Sequence, residues 1–580
     1  MHVFPTDEEV KIAAKLLVET YKVSPQLIGQ LFDTKQREQA NSILQSLGGK
    51  KLTTLDVAKL LIQRDGPSLF AGSREVTREL RLHLLEKVPD EKIRELFTQY
   101  QGANTNISSP SRMRKPLAEM KWHSGKHWAT DFVTTLGFPS IFAGFAKGVE
   151  SVPTIYDVPP RNTPPDLADF QEDIKKRMLD VLQKDEKKTR CVVTLPTGGG
   201  KTRVAVEAFI DWMQPRFAMG KYLLWIAQSE ELCEQAIACI EQMWGNREFV
   251  GTLRIYRFFG HRDISSLDDL RGGAVVSSIQ QLHSRIKSGD PALEKIIKDT
   301  GAMIVDEAHR AVSPMYDTLL KRAEEICGPD LFPICGLTAT PGRAGLNSTE
   351  ETSKLVGRFE AYLIKPNLGQ DYEKSPLRYF REQGFLARAI HVLYKSGIEY
   401  TLTDEEVEEM NREQELPSGF LKRLAGDKNK NLQIIQRLLK LPKGTPTLVY
   451  ACTVEHAYFL SAILIAQGRK AGVVSSDTPM TIRRALIRDF KEQKLEFLCN
   501  YGVLTTGFDA PKTNCIALCR PTKSDVLYEQ IIGRGLRGPK FGGTPECTII
   551  DFVDNIHRLG PPLAYARFHD FWEDEKIEGA

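Results

Sequence analysis

Short apolar runs alternate with stretches of helical period over residues 166–365, and the alternation returns over residues 375–555. The first series places candidate strands at 191–195, 222–227, 273–277, 302–305 and 334–337. The second places them at 447–450, 470–474, 496–500, 515–518 and 548–550. These runs are apolar at nearly every position, which is what a strand buried on both faces requires. Joined by helix-length segments, they predict two parallel α/β sheets in tandem, each covered on both faces. The expected boundaries are 166–365 and 366–558, followed by a tail at 559–580.

The chain ahead of these domains has a different texture. Residues 1–102 show helical spacing only, through Val10, Ala13, Leu17 and Tyr21, then Leu27, Ile28 and Leu31, and later through Leu60, Leu80, Leu84, Ile93 and Phe97. Ser24-Pro25 and Pro89-Asp90 open helices and Gly48-Gly49 closes one, so an all-α N-terminal domain is expected. Residues 103–165 read as a connector ending in Pro159, Pro160, Pro164 and Pro165. In it Arg112, Arg114, Lys115 and Lys121 interleave with Trp122, His123, His127 and Trp128. Such a mixture makes either a stacking surface for single-stranded nucleic acid or a pair of tryptophan anchors. The acidic run from Asp404 to Glu409 behind Thr403 reads as a capped, solvated helix.

Composition narrows the function classes. A length of 580 residues holds about three or four domains. With a net charge of +3, any nucleic-acid site must be a local groove and not a global field. Ten cysteines without a C-x-x-C pair exclude a disulfide scaffold and argue against a zinc knuckle. The N-terminus has neither a basic leader nor an apolar core, and the apolar stretch 137–149 is too short and too interrupted to span a bilayer. A cytoplasmic protein with no membrane partner is the expectation.

Chemistry concentrates at two strand ends. Thr197-Gly198-Gly199-Gly200-Lys201-Thr202 lies between a candidate strand and a helical pattern. Glycines there let backbone N–H groups close around phosphates at a helix N-terminus. Lys201 would reach the β- and γ-phosphates and Thr202 would ligate Mg²⁺. The full G-x-x-x-x-G-K-[ST] pattern needs its first glycine at position 195, where this chain has Leu195. About a hundred residues on, Asp306-Glu307-Ala308-His309 follows the strand at 302–305. Asp306 would hold Mg²⁺ and Glu307 would orient the attacking water. ATP and Mg²⁺ are therefore the expected ligands.

Taken with Thr338-Ala339-Thr340-Pro341 and the run from Gln530 through Gly533 and Arg534 to Arg537, these segments resemble the ordered motifs of a superfamily 2 helicase. Three stretches are similar to the bacterial RadD-like DEAD/DEAH branch: Ala451 to Ala457, Val503 to Pro511, and Tyr528 to Arg537. The resemblance covers residues 166–555 and implies two RecA-like motor domains. It does not reach the helical N-terminus, and the cysteine-rich zinc module that continues the RadD-like pattern has no counterpart here. It implies an adenine contact for Gln171, a γ-phosphate role for Arg534 and Arg537, and a nucleotide contact linking the domains for Asp509. It further implies a relay through His309, Thr338 and Thr340, and strand contacts from Gln228, Ser229, Ser278, Gln280, Thr453, Thr505 and Thr506. The implied activity is an ATP-dependent DNA helicase or translocase moving 3′→5′; DNA repair and phage defence are candidate roles that the resemblance does not itself imply.

Other readings stay open at this point. The same motifs serve a duplex translocase or an RNA helicase. A nucleotide-dependent sensor or scaffold could instead recruit an effector protein through the N-terminal domain. Pro89-Asp90 with Glu119-Met120-Lys121 can be written as a nuclease pattern. That chemistry needs a strand hairpin, and residues 91–118 offer a helix and a polar loop.

Overall fold

The computed structural model describes residues 5–32, 34–48, 52–71, 75–101, 107, 109–144, 153–160, 166–184, 188–244, 251–260, 262–264, 267–328, 331–339, 348–372, 376–413, 415–476, 478, 480–504, 508, 510–557 and 574–579. Two helix-covered sheets follow an all-helical N-terminal region. The first sheet has β1 (Ile155–Val158), β2 (Arg190–Thr194), β3 (Tyr222–Ala227), β4 (Leu253–Phe258), β5 (Gly273–Ser278), β6 (Thr300–Asp306), β7 (Ile334–Thr338) and β8 (Leu363–Ile364). Its order is β1-β4-β5-β3-β6-β7-β2-β8, parallel throughout except for β1 against β4. Because these strands run the same way, Thr194, Ala227, Ser278, Asp306 and Thr338 all end on one edge. In an open α/β sheet that edge is where ligands collect.

The second sheet contains β9 (Arg388–Thr401), β10 (Thr447–Tyr450), β11 (Ala471–Val474), β12 (Phe497–Asn500), β13 (Cys515–Leu518), β14 (Glu546–His557) and β15 (Asp574–Gly579). The order β11-β12-β10-β13-β14-β9-β15 is parallel throughout. The ten strands expected from apolar runs are all present. The five additional ones, β1, β4, β8, β9 and β15, lack that signal for physical reasons. β4 carries two arginines, and its Arg257 is buried because its guanidinium lies 4.4 Å from the Tyr156 ring centroid and pairs with Glu234 at 3.3 Å. β9 alternates buried and solvated positions, so no continuous apolar run marks it.

Among the described residues, eight α-helices build the N-terminal region, from Asp7–Lys15 to His127–Thr135. Thr6 with Glu9, and Thr53 with Asp56, form capping boxes, and Ser24 Oγ accepts from Leu27 N at 3.1 Å behind Pro25. Thr403 and Glu406 cap the acidic helix Asp404–Glu413 in the same way. The apolar core of the N-terminal helices continues through Pro110–Glu119 and His127–Thr135 to Ala143, beyond the expected boundary at 102. Trp122 and Trp128 belong to that core: both make edge contacts with Phe132, at 5.5 and 5.7 Å. Arg114 donates to the carbonyls of Leu85 and Val88 and to Asp90. With Trp128 buried and Trp122 partly so, the two tryptophans anchor the fold. Asp90 opens the helix Asp90–Gln101 and pairs with Arg114, so the nuclease pattern lacks the geometry it would need.

This helical core does not close on itself. Its buried residues are continuous with those on one face of the second sheet, including Ile434, Leu438, Phe459, Leu460 and Ile463. Helix Thr54–Asp65 packs on helix Val454–Ala466, and helix Thr34–Ser46 reaches the same surface. Arg64 covers the Tyr458 ring at 5.2 Å while bonded to Asp65 at 2.6 Å. Gln39 donates its amide to the Gly426 carbonyl. Among the described residues, no helix is long and apolar enough to cross a membrane.

Candidate active site

A cleft of about 1120 Å³ lies between the two sheets and gathers side chains from both. From the first lobe, β2 delivers the glycine loop, and helix Lys201–Met213 leaves it. Gly198 and Gly200 have φ of 86° and 87°, the left-handed region that favours glycine. A Cβ on Gly200 would fall 2.4 Å from Gln171 Nε2, so the loop is closed from behind by a side chain as well as by its own turn. Gln171 is fully buried; its amide accepts from Ala168 N at 3.1 Å and donates to Gly199 O at 3.2 Å. The glutamine thus braces the phosphate-type loop, besides lining the cleft.

Lys201 Nζ donates to the Leu195 carbonyl at 3.0 Å and more weakly to Pro196 O at 3.5 Å. Burial pulls its pKa down, and the charges of Glu307, Glu529 and Asp306 pull the other way. Asp306 ends β6 and is 7% exposed. Burial, then the neighbouring Glu307 charge, push its carboxyl up to about 7. Such a carboxylate lacks a full counter-charge, and a divalent cation would supply one by displacing the proton. Among the described residues no group of three or more His, Cys, Asp or Glu side chains could hold a metal. Asp306 with the Thr202 hydroxyl is a sparse, all-oxygen donor set, which suits Mg²⁺ shared with phosphate oxygens and water.

Glu307 follows at φ 52° and ψ 51°, a left-handed conformation unusual for a residue with a side chain. That turn directs its carboxylate to His309, with Oε2 3.3 Å from Nδ1. The same Nδ1 lies 3.2 Å from Thr338 Oγ1 at the end of β7. Two strand ends are thereby joined through one buried histidine. Thr340, two residues beyond, lies outside the described residues, as do Thr505, Thr506 and Asp509.

The second lobe contributes helix Asp525–Ile532, which ends at Gly533 and leads into Arg534 and Arg537. Its position is set by Tyr528, whose hydroxyl donates to Asp551 Oδ2 at 2.6 Å, beside His391 Nε2 at 2.6 Å from the same oxygen. Arg534 Nη1 donates to Phe508 O at 2.7 Å. Both arginines line the cleft that Lys201, Asp306 and Glu307 line. The lobes approach closely here as well: a Cβ on Gly533 would lie 2.2 Å from Thr197 Cγ2. Gly533→Ala is therefore expected to wedge the lobes apart and, on the ATP-site reading proposed below, to lower turnover roughly 10²-fold, the cost of about 1 Å of misplacement. Nucleotide affinity, measured separately, should fall far less.

Three of the candidate strand-binding residues stand at helix starts that follow β3, β5 and β10. Ser229, Ser278 and Thr453 each cap a helix, accepting from Leu232 N, Gln281 N and His456 N at 3.3, 3.3 and 3.1 Å. Gln280 donates to Gln228 O at 3.1 Å, and Gln228 donates to Tyr316 OH at 3.0 Å. Capping uses one lone pair of each hydroxyl and leaves its proton available to a phosphate. Sequence reasoning missed Tyr379, Gln383, Phe385 and Phe541, which line the cleft with Gln171. These come from the segment between the lobes and from beyond Arg537, where no periodic pattern marks a site.

A phosphate-type loop facing two arginines from a second lobe is the arrangement of a two-lobed nucleotide hydrolase. Residues 165–343 match the family "Type III restriction enzyme, res subunit", and residues 430–538 match the "Helicase conserved C-terminal domain". IRC3 of Saccharomyces cerevisiae, named as an ATP-dependent helicase, is 28% identical over 396 residues, 67% of this chain and 52% of that protein. Its Schizosaccharomyces pombe namesake, named as mitochondrial, is 26% identical over 403 residues, 68% and 58% of the two chains. The EcoKI type I restriction endonuclease subunit of Escherichia coli is 22% identical over 537 residues, 82% of this chain and 43% of that one. Dbp5 of S. cerevisiae bound to RNA and ADP BeF3 superposes with a TM-score of 0.46 at 13% identity, covering 71% of this chain and 94% of that one. Two segments of the chain are thus similar to the paired domains found in helicases, and the chain spans about half the length of the curated relatives it matches.

Proposed function

We propose that this chain is an ATP-dependent motor that moves along DNA, with a RadD-like pair of motor lobes. One observation carries the reading: Lys201, Asp306 and Glu307 of the first lobe line the same cleft as Arg534 and Arg537 of the second. The loop amides at 198–202 and the Lys201 ammonium would bind the triphosphate, and Thr202 and Asp306 would hold Mg²⁺, which would supply charge neutralisation to the phosphates. Glu307 orients a water for in-line attack. The water oxygen bonds to the γ-phosphorus, its proton passing to the departing phosphate, while the bond to the β–γ bridging oxygen breaks and ADP leaves with the electron pair. The arginines neutralise the charge that spreads over the γ-phosphoryl oxygens, a role a planar, always-charged guanidinium suits better than an ammonium.

The contact chain Glu307–His309–Thr338 ties the hydrolytic residue to the edge that carries the strand-binding candidates. Loss of the γ-phosphate then loosens the grip of the arginines, and the lobes part and re-engage one step along. Gln228, Ser229, Ser278, Gln280, Thr453, Thr505 and Thr506 would hold phosphates along one strand, giving sequence-independent, salt-sensitive binding. DNA is favoured over RNA by the likeness of the second-lobe motifs to the RadD-like branch. ATP turnover measured against single-stranded DNA, duplex, fork, nicked duplex and RNA tests this. DNA is expected to stimulate turnover severalfold, and Lys201→Ala to abolish it. Equal stimulation by RNA overturns the DNA assignment, and no stimulation by any nucleic acid overturns the motor.

A further inference from the structure

Two ion pairs cross between the lobes on side chains that the motif series does not include. Arg483, on helix Met480–Lys491 of the second lobe, donates from Nη1 to Glu231 Oε1 at 2.5 Å. Its neighbour Arg484 donates from Nη2 to Glu234 Oε1 at 3.2 Å. Glu231 and Glu234 stand on helix Glu230–Met243, which begins where β3 delivers Gln228 and Ser229. All four side chains line the same cleft as Lys201 and Arg534.

Each side of this contact is held on its own lobe. Arg483 Nη2 donates to the Ser475 and Ser476 carbonyls at 2.9 and 3.4 Å, and the residue is 9% exposed. Glu234 also receives Arg257 Nε at 3.3 Å, with Arg262 at 3.9 Å. One partner of each pair is thus pre-ordered, which lowers the side-chain entropy lost when the lobes meet relative to an ordinary surface ion pair. Where the chain crosses between lobes the contacts are apolar instead: Phe385 packs 5.1 Å from Phe170 and 5.2 Å from Phe541. Apolar contact does not fix orientation. Paired charges do.

We propose that Glu231–Arg483 and Glu234–Arg484 form an interlobe clasp that sets the register in which Arg534 and Arg537 face Lys201. The four are positioning residues for hydrolysis, and the proposal rests on reading the cleft as an ATP site. Because the pairs are partly solvated, the clasp weakens with ionic strength, which gives the lobes a contact they can release during a cycle.

The test is a charge swap in the full chain. Arg483→Glu and Glu231→Arg are each expected to lower kcat about tenfold while KM changes little, as for a group that aligns the reacting parts and does not bind substrate. Small-angle scattering should show an enlarged radius for each single variant. The double variant Glu231→Arg with Arg483→Glu should recover both the radius and most of kcat. Arg484→Glu, at an exposed position, gives the same readouts without risk to folding and should move both in the same direction by less. Unchanged kcat and radius in the single variants overturn the clasp, as does a double variant no better than its parents. If the wild type shows no ATP turnover at all, the ATP reading fails, while the scattering arm still decides whether the pairs hold the lobes together.

Discussion

Glu307→Gln is expected to stop ATP hydrolysis while leaving nucleotide binding close to wild type. The substitution keeps the shape and the hydrogen-bonding reach of the side chain, so the strained turn at φ 52° and the approach to His309 can persist. What disappears is the carboxylate that aligns and polarises the water, a contribution of roughly 10²–10⁴-fold in rate. The same change removes the second-largest cause of Asp306's raised pKa. With Glu307 neutral, Asp306 ionises more readily at neutral pH, so Mg²⁺ binding should strengthen or hold. A fall in kcat with unchanged affinity for Mg·ATP is the expected result, from steady-state turnover beside equilibrium binding. Lys201→Ala should differ, because it removes the ammonium from the triphosphate itself and weakens binding as well as turnover. Hydrolysis by Glu307→Gln at the wild-type rate would mean that another group aligns the water.

Deleting residues 1–143 is expected to ruin the second lobe, although that segment carries none of the candidate chemistry. Helix Val454–Ala466 is buried on nearly every side: Ala457, Phe459, Leu460, Ala462, Ile463 and Leu464 are all buried, with His456 and Ser461 among them. A helix of that kind must be covered on both sides. The sheet covers one, and helices Thr34–Ser46 and Thr54–Asp65 cover the other. Uncovering even three or four large apolar side chains costs about 1.5–3 kcal/mol each. A domain's total stability is only about 5–15 kcal/mol. The truncated chain should be insoluble, or melt roughly 10 °C or more below the full chain. Soluble expression with an unchanged melting temperature would show that the helical region is dispensable to the lobe. The docking also means that the N-terminal helices would accompany the second lobe in the proposed cycle.

The legible parts of this molecule are those in which neighbours in the chain are also neighbours in space. A strand buried on both faces is apolar along its length, so ten strands could be read directly, while β4, with Arg254 and Arg257, could not. Lys201 and Thr202 follow their strand by a few residues, as Asp306 and Glu307 end theirs, and a strand–loop–helix turn has few ways to point such side chains. Trp122 and Trp128 show the opposite case. A tryptophan beside basic residues has the same local pattern whether it stacks on a base or fills a core, and Phe132 decided the matter.

Periodicity and loop composition along the chain therefore dictated two parallel sheets, a helical N-terminus and a phosphate-type loop with its partner carboxylates. Which surfaces meet was settled only on folding. Glu231 and Arg483 are 252 positions apart, and Arg64 reaches Tyr458 across nearly four hundred residues. Such pairs leave no spacing to read, because each half looks like an ordinary surface charge or ring until packing brings its partner. The backbone interactions that shape an element are local, whereas the burial and charge pairing that join elements depend on distances that no single stretch of chain contains.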